Sequence, residues 1–387
     1  MSTKTILYVG GFELPDKNAA AHRVINNGKV LRELGYDVVY LGISHTCEAL
    51  TEGSFCGFQY WSVPYPKSKL QWLNYLTNIK YIEQCAEKIE NLEGIIFYNY
   101  QAAALAKGLK YCRKHHIWSA VDITEWYVAS RESMIFYVIK QMDTFFRMRV
   151  LNKKANGLIT ISTYLTDYYK KNRCKNMIQI PPLVDKQEDK WEIGFKELPS
   201  EKIKLVYAGS TSDMKDNLGI VLRNIANYQE VMEFHVLGMD EHAFAKVFEK
   251  SQISRAKNMF FHGRVSHQEC IQWIKTCDFQ IFLRPDNLVT KAGFPTKLGE
   301  SFACGTPVIT NLTSNIEDYL ADGKNGFIVS DLTDIQLKAV FDRIATLTLD
   351  DRKRLKQNCS ENVDFDYRNY VKNAASFMEH ISLQEKV

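Results

Sequence analysis

The chain has 387 residues, 45% hydrophobic and 24% charged, enough to bury two cores rather than one. Its net charge of +4 is too small to point to nucleic acid, and nine cysteines without a CxxC pair argue against a zinc module or a disulfide framework. No apolar run reaches the roughly 18 residues of a membrane span, so the expectation is a cytoplasmic protein with reduced thiols.

The opening run "TILYVG" (Thr5–Gly10) reads as a first strand rather than a signal peptide. A helical pattern over 19–34 closes at Gly35, and "DVVYLG" is the next strand. "GIIFYNY", a helix over 102–114 and "IWSAVDI" follow, then one long helical pattern over 134–154. "GLITIS", a further helix and "MIQIPP" complete the first half. Strands that are apolar throughout and separated by helices predict a parallel sheet covered on both faces. The pattern lapses in "KQEDKWEIGFKELPSEK" (186–202) and restarts with "IKLVYAG", a helix over 217–228, "EFHVLG", "NMFFHG", a helix ending at Lys275, and "DFQIFLR". In "GFPTKLGESFACGTPVIT" (293–310), Pro295 suits a first helical turn, a helix runs to Ala303, Gly305 and Pro307 stop it, and a strand follows. An amphipathic helix covers 367–381. The expected organisation is a domain over 1–184, a linker over 185–202, a second domain over 203–362, and a segment over 363–387 that packs back on the first domain.

Open α/β sheets bind ligands beyond the carboxyl ends of their strands, so the strand-to-helix loops are the candidate sites. In "YVGGFELPDKNAA", Gly10 and Gly11 either admit a ligand close to the backbone or simply make a tight turn. The GxGxxG fingerprint is absent, which argues against a nicotinamide enzyme. In "YAGSTSDMKDN", Gly209 and Ser210 turn the chain, and Lys215 is either a phosphate ligand or a solvated loop lysine. The third loop carries the strongest signal. Thr296 offers a hydroxyl and an N–H at a helix entrance, and Lys297 adds a cation where the helix dipole disfavours one unless an anion binds. Glu300, on nearly the same face, either accepts two hydrogen bonds from a vicinal diol such as ribose or pairs with Lys297. Arg284, ending "FQIFLR", is a further cation at a strand end or a surface arginine. No His, Cys and Asp cluster has metal-ligand spacing, which predicts metal-independent chemistry without a cofactor.

"AGFPTKLGESFACGTPVITN", "YAGSTSDMKDN", "FHGRVSH" and "DGKNGFIV" resemble the retaining nucleotide-sugar glycosyltransferases of family 4, with the GT-B fold. That resemblance implies two Rossmann-like domains with parallel sheets facing a central cleft, the N-terminal one binding acceptor and the C-terminal one binding donor. It implies that Glu300 holds the ribose hydroxyls, that Thr296, Lys297 and Lys215 meet the diphosphate, with Leu298, Gly209 and Ser210 beside them, and that Arg264-Val265 holds the base edge. Gly11 would face the donor phosphates across the cleft, and Asp122 or Glu125 would take the polar position near the reacting centre. Two positions depart from the family pattern. Ala292 stands where a first glutamate is common, and Ser210 where many members carry an arginine, a role Arg284 would fill.

The implied function is transfer of a sugar with retention from a nucleoside diphosphate donor, UDP rather than GDP, to a saccharide or lipid-linked saccharide acceptor. The setting is cell-surface polysaccharide assembly, such as capsule or lipopolysaccharide. The alternatives are a non-catalytic nucleotide-sugar-binding protein or a nucleotide-sugar epimerase of the same fold. A peripheral position on the inner face of the membrane is part of the expectation. "YPKSKLQWLNYLTNIKYI" (65–82) mixes Trp72 and Tyr75 with Lys67, Lys69 and Lys80, and Arg147, Arg149, Lys153 and Lys154 form a second basic cluster. Such stretches either rest on an anionic membrane or form ordinary, partly buried helices.

Overall fold

The computed structural model describes residues 4–15, 17–128, 134–192, 201–209, 216–248 and 253–384. The chain divides into two compact units, one formed by Met1–Leu183 with Asp366–Val387 and the other by Val184–Phe365.

Unit 1 runs β1 (Thr5–Gly10), α1 (Ala19–Glu33), β2 (Asp37–Ser44), β3 (Thr51–Phe55), β4 (Phe58–Pro64), α2 (Lys69–Thr77), α3 (Lys80–Ala86) and β5 (Leu92–Tyr98). It continues with α4 (Ala102–Lys114), β6 (Trp118–Ile123), α5 (Met134–Phe146), β7 (Gly157–Thr160), α6 (Thr163–Lys171) and β8 (Met177–Gln179). The strand order is β3-β4-β2-β1-β5-β6-β7-β8, parallel except for β3 against β4. The sequence reading missed that hairpin. Its two-residue turn, Cys56-Gly57, has positive φ at both positions (51° and 73°), the geometry that follows strand twist. "TEGSF" is polar and largely exposed, so no apolar alternation marks it as a strand. The single helix expected over 134–154 is three pieces. α5 gives way to a π-helical turn at Arg147–Leu151 and a 3-10 turn at Asn152–Lys154.

Unit 2 runs α7 (Asp189–Glu192), β9 (Ile203–Ala208), α8 (Leu218–Ile225), β10 (Met232–Leu237), α9 (Glu241–Phe248), β11 (Met259–Phe261), α10 (His267–Thr276) and β12 (Phe279–Ile281). It ends with α11 (Leu288–Ala292), α12 (Thr296–Ala303), β13 (Val308–Thr310), β14 (Gly326–Ile328), α13 (Asp334–Ala345) and α14 (Leu349–Glu361). Its sheet, β11-β10-β9-β12-β13-β14, is parallel throughout. Leu205, Phe234, Phe279, Ile281 and Ile309 lie in its core. Local chemistry agrees with these elements: Asn18 caps α1, and Ser266 and Thr348 start α10 and α14 with reciprocal capping boxes.

The chain then returns to unit 1 as α15 (Val371–Gln384). Phe377, Met378 and Ile381 join the core that contains Trp118, Ile159 and Ile178. Gly157 permits this close approach, since a Cβ there would come within 2.7 Å of the Phe377 ring. In each unit the first strand is the point where strand order reverses: β1 lies between β2 and β5, and β9 between β10 and β12. Beyond the carboxyl end of such a strand an open sheet leaves a crevice.

Candidate functional site

In unit 2 the loops after β9, β10 and β11 are tied into one ledge. Gly209 N–H donates to the Leu237 carbonyl at 3.2 Å, Gly238 N–H to Gly263 at 2.7 Å, and Gly263 N–H to Met239 at 2.9 Å. Gly238 has φ 97°, and a Cβ there would stand 2.1 Å from the Gly209 carbonyl oxygen, so the ledge requires glycine. Exposed Arg264 and half-buried Val265 follow Gly263.

α12 begins at Thr296. Pro295 precedes it as the cap residue, one position earlier than a first-turn proline, and no side chain caps the helix. The first N–H groups of a helix have no intrahelical partner, so this end presents donors. The Lys297 ammonium reaches back over the strand ends and donates to Asp216, which also accepts from the Tyr207 hydroxyl at 3.0 Å. It lies 5.1 Å from the centroid of the Tyr207 ring and 5.9 Å from that of Phe282. Sequence reasoning missed Asp216 and Tyr207 as site residues. The available signal was a carboxylate directly after Lys215, and an aromatic two positions before Gly209.

Lys297 is therefore held by Asp216, and the alternative pairing with Glu300 is not the one formed. Glu300 is about a quarter exposed, with Oε1 3.9 Å from His267 Nε2. Leu298 is buried behind it. Arg284 is not the surface arginine of the alternative reading, being only 6% exposed. Its backbone is fixed by two 2.8 Å hydrogen bonds with the Asn311 side chain, and its guanidinium lies 3.5 Å from Thr313 Oγ1. Burial pushes the Arg284 pKa down to about 10, while the Asp216 charge acts in the opposite direction. The guanidinium thus stays charged at neutral pH. Ser210 and Lys215 lie outside the described residues. Ala292 is fully buried at the end of α11. Among the described residues no group of three or more His, Cys, Asp and Glu side chains could hold a metal ion.

In unit 1, Asp122 departs from its expected place at a reacting centre. It is fully enclosed, and both carboxylate oxygens are used. Arg23 donates to it from Nη2 at 2.7 Å and Nε at 2.9 Å, Tyr8 from its hydroxyl at 2.6 Å and Asn27 at 3.3 Å. Burial works against the Arg23 charge, yet Asp122 raises its pKa above the ordinary value. Burial, with Asp122 beside it, pushes the Tyr8 hydroxyl well up. The pair joins α1 to β6 and carries no open face for a substrate. Glu125 is half-buried just beyond β6, and Gly11 is exposed after β1 with the Tyr75 hydroxyl as the nearest group to a Cβ, at 3.6 Å. Arg23→Met leaves the Asp122 charge buried without its partner and should cost about 3–5 kcal/mol of stability. Denaturant unfolding measures this; an unchanged midpoint would mean that the pair does not hold the unit together.

A sequence comparison with curated proteins finds no match. Solved structures do match in fold. The sucrose-phosphate synthase of Thermosynechococcus elongatus superposes with a TM-score of 0.71 at 14% identity, covering 98% of this chain and 100% of its own. The catalytic domain of starch synthase IV from Arabidopsis thaliana, bound to ADP and acarbose, gives 0.70 at 12% identity, covering 99% of this chain and 100% of its own. HepE of Anabaena, in complex with UDP-glucose, gives 0.65 at 12% identity, covering 97% and 99%. The fold is therefore α/β of the GT-B kind. In sequence, residues 189–362, nearly all of unit 2, match the family described as glycosyl transferases group 1.

Proposed function

We propose that the protein transfers a sugar, with retention and without a metal, from a nucleoside diphosphate sugar to a saccharide or lipid-linked saccharide in cell-surface polysaccharide assembly. The observation that carries this reading is the cationic cluster of unit 2. Lys297 in the uncapped first turn of α12 and buried Arg284 converge at the β9–β12 reversal point. Similarity to structures holding ADP or UDP-glucose favours a nucleoside diphosphate, with UDP preferred over GDP. The match to group 1 glycosyl transferases over the same unit favours sugar transfer.

In this reading the departing diphosphate gains negative charge as the sugar bond breaks. Lys297, Arg284 and the N–H groups of Thr296 and Lys297 stand ready for it, and such preorganised donors lower the barrier without reorganising. The resemblance adds Lys215 to this set. Asp216 holds the Lys297 ammonium in place until the diphosphate arrives and then competes with it. Glu300 takes the ribose hydroxyls, the backbone of Arg264-Val265 takes the base edge, and Gly209 and Leu298 lie beside the diphosphate ligands. In unit 1, Glu125 positions the acceptor. The acceptor hydroxyl attacks the face the diphosphate leaves. Asp122 has no part in the step, because its charge is already matched by Arg23. One observation favours a second reading. Buried Ala292 supplies no carboxylate to the donor sugar, as would suit a binding protein that never turns over. Incubating a panel of nucleotide sugars with excess chelator and saccharide acceptors separates the two readings. Product with retained configuration supports transfer, whereas tight binding without transfer or hydrolysis supports the second, and a strict manganese or magnesium requirement removes the metal-free step.

Glu300→Ala should weaken UDP binding by about 1.5–3 kcal/mol, the scale of a charged hydrogen bond. Titration calorimetry with UDP and its dideoxyribose analogue checks the cause. The analogue should bind wild type and variant alike, and an equal loss for both nucleotides would assign Glu300 to structure. At Asp216 and Lys297 the expected effects have opposite signs. Asp216→Asn should tighten UDP binding by about 1 kcal/mol as a like charge is removed, while Lys297→Met should lower kcat/KM on the order of 100-fold. Loss of UDP affinity in Asp216→Asn, or full turnover in Lys297→Met, would separate the ion pair from donor binding.

A further inference from the structure

α5 has an apolar face that no described residue of unit 1 covers. It packs on α4 and leaves Met134, Val138, Ile139, Met142, Phe145 and Phe146 between 46% and 76% exposed. At 100° per residue these six share one arc of about 140°. The inward side is committed elsewhere: Asp143 accepts from the Ala102 N–H at 2.7 Å to cap α4, and Thr144 is buried. Val150, in the turn that follows, extends the exposed side. Soluble monomers rarely expose so many large apolar side chains together without a partner for them.

The charge around this face identifies the partner. Residues 134–154 hold five cations and one acid. Arg147 is buried and donates to the Asn99 carbonyl at 3.0 Å, which leaves Lys140, Arg149, Lys153 and Lys154 outside the core. The one acid is the inward-turned Asp143. Arg149 lies over the Phe145 ring at 5.0 Å, Lys140 over the Tyr127 ring at 5.0 Å, and Lys154 is exposed. Trp126 packs edge-on against Tyr168, with ring centroids 4.9 Å apart, and Tyr127 and Tyr164 are exposed close by in the chain. An apolar arc bordered by cations and amphipathic rings suits the boundary between acyl chains and anionic headgroups. A second copy of the chain fits less well, because the same face would bring like charges together. α5 has 13 residues, and no helix among the described residues is long and apolar enough to cross a membrane, so the contact lies along the surface.

We propose that α5 docks the protein on an anionic lipid bilayer, with its apolar arc at the acyl boundary and Arg149 and Lys154 at the headgroups. α2 also packs on α4 and exposes Leu70 and Leu73, which adds to the apolar surface. The basic-aromatic stretch over 65–82 plays the smaller part, because Trp72 is drawn edge-on against both Tyr65 and Tyr75. The inference stands independently of the transfer reaction.

Co-sedimentation of the full chain with vesicles tests it. Binding is expected to equimolar phosphatidylglycerol and phosphatidylcholine, and not to phosphatidylcholine alone. Met142→Ser with Phe145→Ser should abolish binding. Arg149→Gln with Lys154→Gln should weaken it on the order of tenfold or more, since each cation near such a surface is worth roughly fivefold. Thermal melts of each variant establish that it is folded, and single substitutions replace any pair that is not. Absence of vesicle binding by the wild type, equal binding to both vesicle types, or undiminished binding by the folded apolar variants would overturn the proposal. So would a wild-type dimer, seen by light scattering, that becomes monomeric with Phe145→Ser.

Discussion

A parallel strand cannot be joined to its neighbour by a hairpin. Each crossover must carry the chain back along the sheet, and a helix is the compact way to do so. Every loop that leaves a carboxyl end therefore collects on one edge. Where strand order reverses, the crossovers diverge and the edge opens. In unit 2 that strand is β9, and the loops after β9 and β12 both emerge beside it. Lys297 arrives from α12 into this space, and Arg284 from the end of β12. Both belong to the connection between β12 and β13. The sheet brings them to Asp216, which follows β9, and the glycines at 209 and 238 let the loops lie close enough to form a floor.

The cluster formed there is electrostatically unusual in its resting state. Lys297 contacts two aromatic rings and one carboxylate, and among the described residues the buried Arg284 guanidinium meets Thr313 at 3.5 Å. Taking cations out of water opposes folding. Asp216 offsets part of that penalty for Lys297, while the lowered Arg284 pKa records what remains for the guanidinium. In the proposed function, an arriving diphosphate would relieve both.

The alternation of strands and helices was legible because parallel strands are apolar on both faces and their helices carry caps. "TILYVG" and "VIT" fall on β1 and β13, and the helix expected over 102–114 is α4. The β3–β4 hairpin was not legible. Its outer strand packs against nothing that would demand an apolar pattern, and its turn lacks the usual Asn-Gly. The break after α5 was hidden for the opposite reason, since helical, π and 3-10 turns share similar apolar spacing. At the candidate site, a cation in a first helical turn was conspicuous in sequence because it opposes the dipole. Its partner was not, because Asp216 lies 81 residues away. Asp122 was misread for a related reason. A carboxylate at a strand end looks the same in sequence whether it faces a crevice or a buried arginine 99 residues away.

α15 also bears on how the chain comes to be folded. Unit 2 is, in chain terms, an insertion within unit 1, because the last helix belongs to the first core. During synthesis the sheet of unit 1 is made first, but the places for Phe377, Met378 and Ile381 stay unfilled until some 200 further residues have been added after β8. Trp118, Ile159 and Ile178 wait through that interval with part of their apolar cover missing. Unit 2 has every strand and helix of its own sheet in hand earlier. The domain that starts first is therefore completed last, and the nascent chain must carry an open, apolar sheet face for as long as its second domain takes to emerge.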